Sequence, residues 1–273
     1  MPPDPDLDRD PAHALRLESV SKALGGRPVL QGLHLTVPVG ERIALIGPSG
    51  AGKTTLLRLA AGVLAPDAGR VSVLGHDTAQ LHGRALKQLR RDVGLLYQLD
   101  NLVPSLRVVH NVLMGRLGHW SAARALLSLL IPQQLGLARS ALARVELAHR
   151  LWALPGELSG GEQQRVAVAR LLVQSPRLML ADEPVASLDV RLGREIIQLL
   201  CSIAREQGRT LLVSLHALDL LGGQFDRVIA LSGGAIAWEG PPAAISQEVL
   251  RRVYGAEYAS LRLAEVAVGT GGA

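Results

Sequence analysis

The most restrictive feature of this sequence is GPSGAGKT at residues 47–54, set between the apolar ERIALI of residues 41–46 and the helix-like TLLRLAAGVL of residues 55–64. A short apolar run suits a buried strand, and a strand, a glycine-rich turn and a helix in that order make a phosphate-binding loop. Glycines let the backbone curl so that successive N–H groups point at phosphate oxygens, and the positive end of the following helix adds to the field. Gly47, Pro48, Ser49, Gly50, Ala51, Gly52, Lys53, Thr54 and Thr55 are therefore expected to hold a nucleotide. Lys53 neutralises the outer phosphates, the Thr54 hydroxyl ligates Mg²⁺ and Thr55 adds a phosphate contact at the helix start. Lysine occurs elsewhere only at Lys22 and Lys87, with arginine filling nearly every other basic position, so Lys53 stands out on composition as well.

Further short apolar runs at residues 93–97, 178–181, 211–215 and 228–231, several with helical patterns between them, predict an α/β fold with a largely parallel sheet. Residues 15–20 and 33–37 alternate instead, as half-exposed antiparallel strands do, which predicts a small β layer beside the core. Between residues 111 and 155 strand signals vanish, and leucine and alanine recur at helical spacing through SAARALLSLL and LARSALARVELAHRLWAL. The expected layout is a single domain over 14–263, with the core and β layer in 14–110 and 156–255, an inserted helical subdomain in 111–155, and flexible tails at 1–13 and 264–273.

A second site comes from LMLADEP at 178–184, an apolar strand that ends in two carboxylates. Asp182 can hold Mg²⁺, usually through water, while Glu183 can orient and deprotonate an attacking water. Taken alone, two acids before a proline more often mark a solvated strand end; the phosphate loop upstream reverses that preference. A third piece, LSGGEQQR at 158–165, places Ser159 and Glu162 at capping-box spacing before the helix-like VAVARLLV. Gly160 and Gly161 are costly in a helix yet allow close approach of another surface or a phosphate. The plainer alternative is that this segment only starts a helix.

With these pieces in order, the sequence resembles the ATP-binding cassette (ABC) family. LSGGEQQR is similar to its signature, Gln98 follows the strand VGLLY as the family's Q-loop does, SLD at 187–189 matches the D-loop, and His216 follows TLLVSL at the switch-histidine position. The resemblance implies a P-loop nucleotide triphosphatase (RecA-like) core with a mostly parallel sheet, a flanking antiparallel β layer and an inserted α-helical subdomain. It implies hydrolysis of ATP with Mg²⁺, with Glu183, His216 and Gln98 catalytic and Thr54, Gln98 and Asp182 around the metal. It also implies a head-to-tail pair with a second copy, in which Ser159, Gly160, Gly161 and Glu162 face the other copy's ATP and Asp189 lies at the interface. The implied partners are transmembrane permease subunits and, indirectly, an extracytoplasmic solute-binding protein, with the chain peripheral on the cytoplasmic face of the inner membrane. Within the family the chain is most similar to the ATPase subunit of bacterial phosphonate importers, on VGLLYQLDNLVPSLRVVHNVLMGRLGHW, LADEPVASLD, SLHALDL and LRRVYG. One departure is Leu24 in SKALGGRPVL, where many relatives place an aromatic residue to stack on adenine.

Composition sets the remaining bounds. A hydrophobic share of 48% supports a sizeable core. The apolar stretches at 125–131 and 210–215 are broken by Ser128, Pro132 and His216, short of the roughly 20 residues a membrane span needs. The start, MPPDPDLDRDP, does not read as a secretory signal. Cys201 is the single cysteine, so no internal disulfide forms and a reducing compartment is expected. The net charge of +5 rests on scattered arginines with only 3% aromatics, which argues against a nucleic-acid partner. The competing readings are a different importer or exporter cassette, a non-transport cassette protein of DNA repair or translation, and a nucleotide-gated module without turnover. Paired cassettes or long coiled-coil insertions would mark the second, and Glu183 with His216 disfavours the third.

Overall fold

Each apolar run that predicts a buried strand becomes one, because its two faces find separate covers. The computed structural model describes residues 12–97, 102–186 and 188–258. In chain order the elements are β1 (His13–Leu24), β2 (Arg27–Pro38), β3 (Arg42–Ile46), α1 (Lys53–Ala60), β4 (Ala68–Val73), β5 (His76–Asp77), α2 (Gly83–Asp92) and β6 (Val93–Leu96). Then come α3 (Val108–Leu113), α4 (Ala122–Leu130), α5 (Leu135–Arg144), α6 (Gly160–Gln174), β7 (Leu178–Asp182), α7 (Val190–Glu206), β8 (Thr210–Ser214), β9 (Arg227–Ser232), β10 (Ala235–Gly240) and α8 (Gln247–Tyr254).

The larger sheet runs β10-β9-β3-β8-β7-β6, with parallel pairing everywhere except the antiparallel edge strand β10. Successive side chains of a strand point to opposite faces. Accordingly Ile43, Leu45, Leu178, Leu180, Leu212, Ile229 and Leu231 join one core with α1 and the β layer. Their neighbours Ala44, Ile46, Met179, Ala181, Leu211, Val213, Val228 and Ala230 join a second core built with the other helices. A parallel sheet needs both faces covered, and this parity supplies both.

The β layer is the antiparallel sheet β2-β1-β4-β5. Its hairpin turn is Gly25-Gly26, both at positive φ, as a two-residue connection between twisted strands requires. Within residues 111–155 no strand forms; α3 and α5 pack on α6 instead, anchored by Val109, Val112, Ala138 and Leu142 at no more than 0% exposure. α4 differs from its neighbours. Leu126, Leu127, Leu129, Leu130 and Ile131 all lie open to solvent, Leu130 at 80%. No helix among the described residues is long and apolar enough to cross a membrane.

Candidate functional site

Residues 47–52 leave β3 and enter α1 without any side-chain cap on the helix. The first N–H groups of α1 thus lack the usual protein acceptor, the arrangement that takes an anion. Two glycines are sterically required. A Cβ on Gly47 would lie 2.1 Å from the Leu231 carbonyl oxygen, and one on Gly52 would lie 2.6 Å from Leu30 Cδ2, with both residues at positive φ. Lys53 is buried, and its Nζ donates to the Gly47 carbonyl at 2.7 Å and the Pro48 carbonyl at 3.2 Å. Burial pushes its ammonium below the usual lysine range, opposed by the carboxylates of Glu183, Asp182 and Glu257. A buried cation whose hydrogen-bond acceptors among the described residues are neutral carbonyls is a ready seat for phosphate. Ser49 and Gly50 face solvent at the loop's tip, whereas Thr55 is buried in the first turn of α1.

The acidic strand end meets this loop directly. Thr54 Oγ1 donates to Asp182 Oδ1 at 3.1 Å, bridging α1 and β7. The same carboxylate oxygen receives the Ser214 hydroxyl at 2.8 Å, and Ser214 Oγ in turn accepts the Glu183 N–H at 2.8 Å. Ser214 is fully buried at the end of β8, in register with Asp182. It was not among the sequence candidates, although a hydroxyl closing the otherwise apolar TLLVS was a usable signal. Glu183 sits at φ 45°, a left-handed conformation that a non-glycine residue holds only at a cost of about 1–3 kcal/mol. Glu183, Asp189 and the exposed His216 line one cavity of about 390 Å³. A hydroxyl and a carboxylate already in contact form the hard-oxygen donor pair that suits Mg²⁺.

The signature segment does start a helix. Ser159 Oγ accepts the Glu162 N–H at 3.2 Å, and Glu162 Oε2 accepts the Ser159 N–H at 2.8 Å, a complete capping box. The Ser159 N–H holds the Glu162 carboxyl below its usual range, assisted by the Ser159 hydroxyl and by Arg150, whose Nε donates to it at 3.1 Å. Capping occupies a lone pair of the Ser159 oxygen, and the hydroxyl also supports the Glu162 carboxylate. A Cβ on Gly160 would meet only Leu188 Cδ2 at 3.8 Å, whereas one on Gly161 would strike Leu192 Cδ2 at 2.2 Å. Asp189 caps α7, accepting the Leu192 N–H at 3.0 Å. Leu24 is 40% exposed at the tip of the β1–β2 hairpin. Gln98 and Ser187 lie outside the described residues.

A separate groove of about 440 Å³ runs between α2, the end of β6, residues 114–119 and α6, and is lined by Arg90, Arg91, Tyr97, His119 and Arg170 among others. Partial desolvation and the nearby Arg116 and Arg91 hold His119 below its usual pKa.

Comparison with known proteins gives consistent neighbours. The ABC transporter family matches residues 30–186. The phosphonates import ATP-binding protein of Stutzerimonas stutzeri is 43% identical over 250 residues, 89% of this chain and 90% of that relative. Its counterpart in Thiobacillus denitrificans is 42% identical over 242 residues, 88% of this chain and 92% of the relative. Among solved structures, the fold is similar to a dimeric post-hydrolysis state of an ATP-binding cassette bound to ADP and Pi, with a TM-score of 0.71 and 30% identity over 85% of this chain and 100% of that one. It is also similar to an ABC transporter component from Clostridium perfringens, with a TM-score of 0.75 and 27% identity over 93% of this chain and 100% of that one.

Proposed function

Because this chain belongs to the ABC transporter family of ATP-binding proteins, we propose that it hydrolyses ATP as a head-to-tail pair and so drives uptake of a phosphonate or related oxyanion through a partner permease. The observation that carries the catalytic part is the chain of contacts from Thr54 through Asp182 and Ser214 to Glu183, which joins the phosphate loop to the acidic strand end.

The loop N–H groups and Lys53 receive the β- and γ-phosphates. Thr54 and Asp182, with Gln98, would hold Mg²⁺, which would supply positive charge to stabilise the phosphates. Glu183 takes a proton from water as the water oxygen attacks the γ-phosphorus; the bond to the β,γ-bridging oxygen breaks and ADP leaves. The positive φ of Glu183 and the Ser214 bond to its N–H fix its backbone, and so the direction in which its side chain leaves the chain. His216, across the same cavity, balances charge on the transferred phosphoryl group.

The Ser159 O–H, turned from the Glu162 carboxylate, and the N–H groups of Gly160 and Gly161 are read as the second half of the site, donating to the γ-phosphate held by the other copy. ATP then makes contacts that ADP cannot, so ATP closes the pair and hydrolysis opens it. A similar cassette solved as a dimer with ADP and Pi supports this reading.

The arginine-lined groove suits an acidic short helix of a permease on charge. The exposed leucines of α4, in a stretch where residues 101–145 contain five arginines and no acid, offer a further surface to a partner at the cytoplasmic side of the inner membrane. The phosphonate assignment rests on the names of the relatives, since solute selectivity belongs to the permease and its receptor. Glu183→Gln tests the catalytic reading: ATP binding is retained and phosphate release falls by at least about a hundredfold. Wild-type turnover in that variant excludes Glu183 as the base.

A further inference from the structure

The segment LRRVYG, carried by α8, has no part in the scheme above. Its last aromatic, Tyr254, is 5% exposed, and its hydroxyl accepts the Gly47 N–H at 3.1 Å in a fully buried bond. Gly47 is the first residue of the phosphate loop. The β3–β9 ladder stops at the pair Ile46–Ala230, so the Gly47 N–H lies one residue past the strand and takes its acceptor from α8 instead. The carbonyl of the same residue receives Lys53 Nζ at 2.7 Å, and its Cα is pressed against the Leu231 carbonyl so closely that no Cβ fits. Gly47 is thus held on three sides, by Lys53, by the end of β9 and by Tyr254.

Two further observations tie the same segment to the loop. The Glu257 carboxylate, three residues after Tyr254, adds to the negative field that supports the Lys53 charge. Burial pushes the Tyr254 phenol up to about 12, so its oxygen remains a neutral hydroxyl acceptor throughout the working pH range. α8 itself rests on β9, which pairs with β3, and on the edge strand β10, so the contact is anchored in the sheet rather than in a loop.

We infer that Tyr254 is a positioning residue for the phosphate loop: by fixing Gly47 it holds the carbonyl seat of Lys53, and with it the lysine, in place for the outer phosphates. This rests on the reading that the loop binds ATP. Replacing the phenol by a phenyl ring keeps the packing and removes only the acceptor, leaving a buried N–H unsatisfied.

The test compares Tyr254→Phe with Val253→Ala, the adjacent residue, which is 2% exposed in the same core. ATP affinity and melting temperature are measured for both and for the wild-type chain. The expected result is an ATP Kd raised about tenfold in Tyr254→Phe, against a lowered melting temperature with Kd within about twofold of wild type in Val253→Ala. Equal affinity in Tyr254→Phe and wild type overturns the inference alone, as does an affinity loss in Val253→Ala that matches its loss of stability. Failure of the wild-type chain to bind ATP overturns the functional reading itself. Should Tyr254→Phe not fold, hydrogen exchange of the wild-type Gly47 amide decides: protection is expected, and exchange as fast as the exposed Gly50 amide overturns the assignment.

Discussion

Gly160 and Gly161 are adjacent in the first turn of α6, yet the chain itself explains only one of them. An alanine at Gly161 drives its Cβ to 2.2 Å from Leu192 Cδ2 and 3.1 Å from Leu192 Cγ, so the side chain must swing away. An alanine at Gly160 meets nothing closer than 3.8 Å, and its φ is not positive. Within one copy, Gly160→Ala should then be neutral or stabilising, by up to about 1 kcal/mol from the restricted unfolded chain and better helix propensity. Gly161→Ala should be less stable than Gly160→Ala by about 1–2 kcal/mol of overpacking, a gap of about 2–8 °C in melting temperature. If Gly160 is glycine because the other copy's γ-phosphate approaches it, the added methyl costs one or two charge-assisted hydrogen bonds at about 1.5–3 kcal/mol each. ATPase activity should then fall at least tenfold while the melting temperature holds or rises. Steady-state phosphate release and differential scanning calorimetry on the same preparation measure both. A Gly160→Ala chain with wild-type ATPase would refute the idea that this face meets a nucleotide in trans.

Ser214→Ala removes a donor to Asp182 and strands the buried Glu183 N–H, so turnover should fall about tenfold with a smaller change in ATP affinity; stopped-flow binding alongside steady-state assays separates the two. Leu24→Tyr should raise the preference for ATP over GTP by up to about tenfold through stacking worth about 1–3 kcal/mol per base, and an unchanged ratio in competition binding contradicts the adenine-side placement of Leu24. Burial lowers the Lys53 pKa in the free chain, and phosphate raises it again on binding, so the affinity gain is full below the free-chain value and is lost as pH rises through the bound-state value. ATP-induced thermal stabilisation followed against pH should begin to decline below lysine's ordinary 10.5, and a flat profile to that pH contradicts the charge assignment. Arg91→Glu in the basic groove should abolish co-purification with a coexpressed permease while leaving ATP affinity intact; retained co-purification removes the groove from the docking surface.

The strands of the parallel sheet were legible because burial on both faces forces uninterrupted apolar runs, as in RIALI and TLLVS. The helical character of residues 111–155 was legible for the complementary reason, leucine and alanine at helical spacing with no strand-like run between them. β4 and β10 were not. AGRVSV and AIAWEG are partly exposed edge or layer strands whose pairing is decided by β1 and β9, and nothing local in either sequence announces a partner. The glycine-rich loop and the carboxylates Asp182 and Glu183, which the structure brings together, could be singled out in advance as candidates because each lies in a contiguous motif. For Ser214 the hydroxyl ending TLLVS is only a faint signal, and Tyr254 has none, since their value comes from contacts 32 and 207 residues away in sequence. Both are single polar atoms at the edge of apolar segments, so periodicity reads them as packing.

The central question is whether two copies complete one ATP site between them. The most direct measurement is the structure of the Glu183→Gln chain with Mg-ATP. A closed pair is expected, with Ser159 Oγ of each copy within hydrogen-bond distance of the γ-phosphate seated on the other copy's Lys53. ATP bound to a monomer, or a pair in which Ser159 lies far from every γ-phosphate, would contradict it.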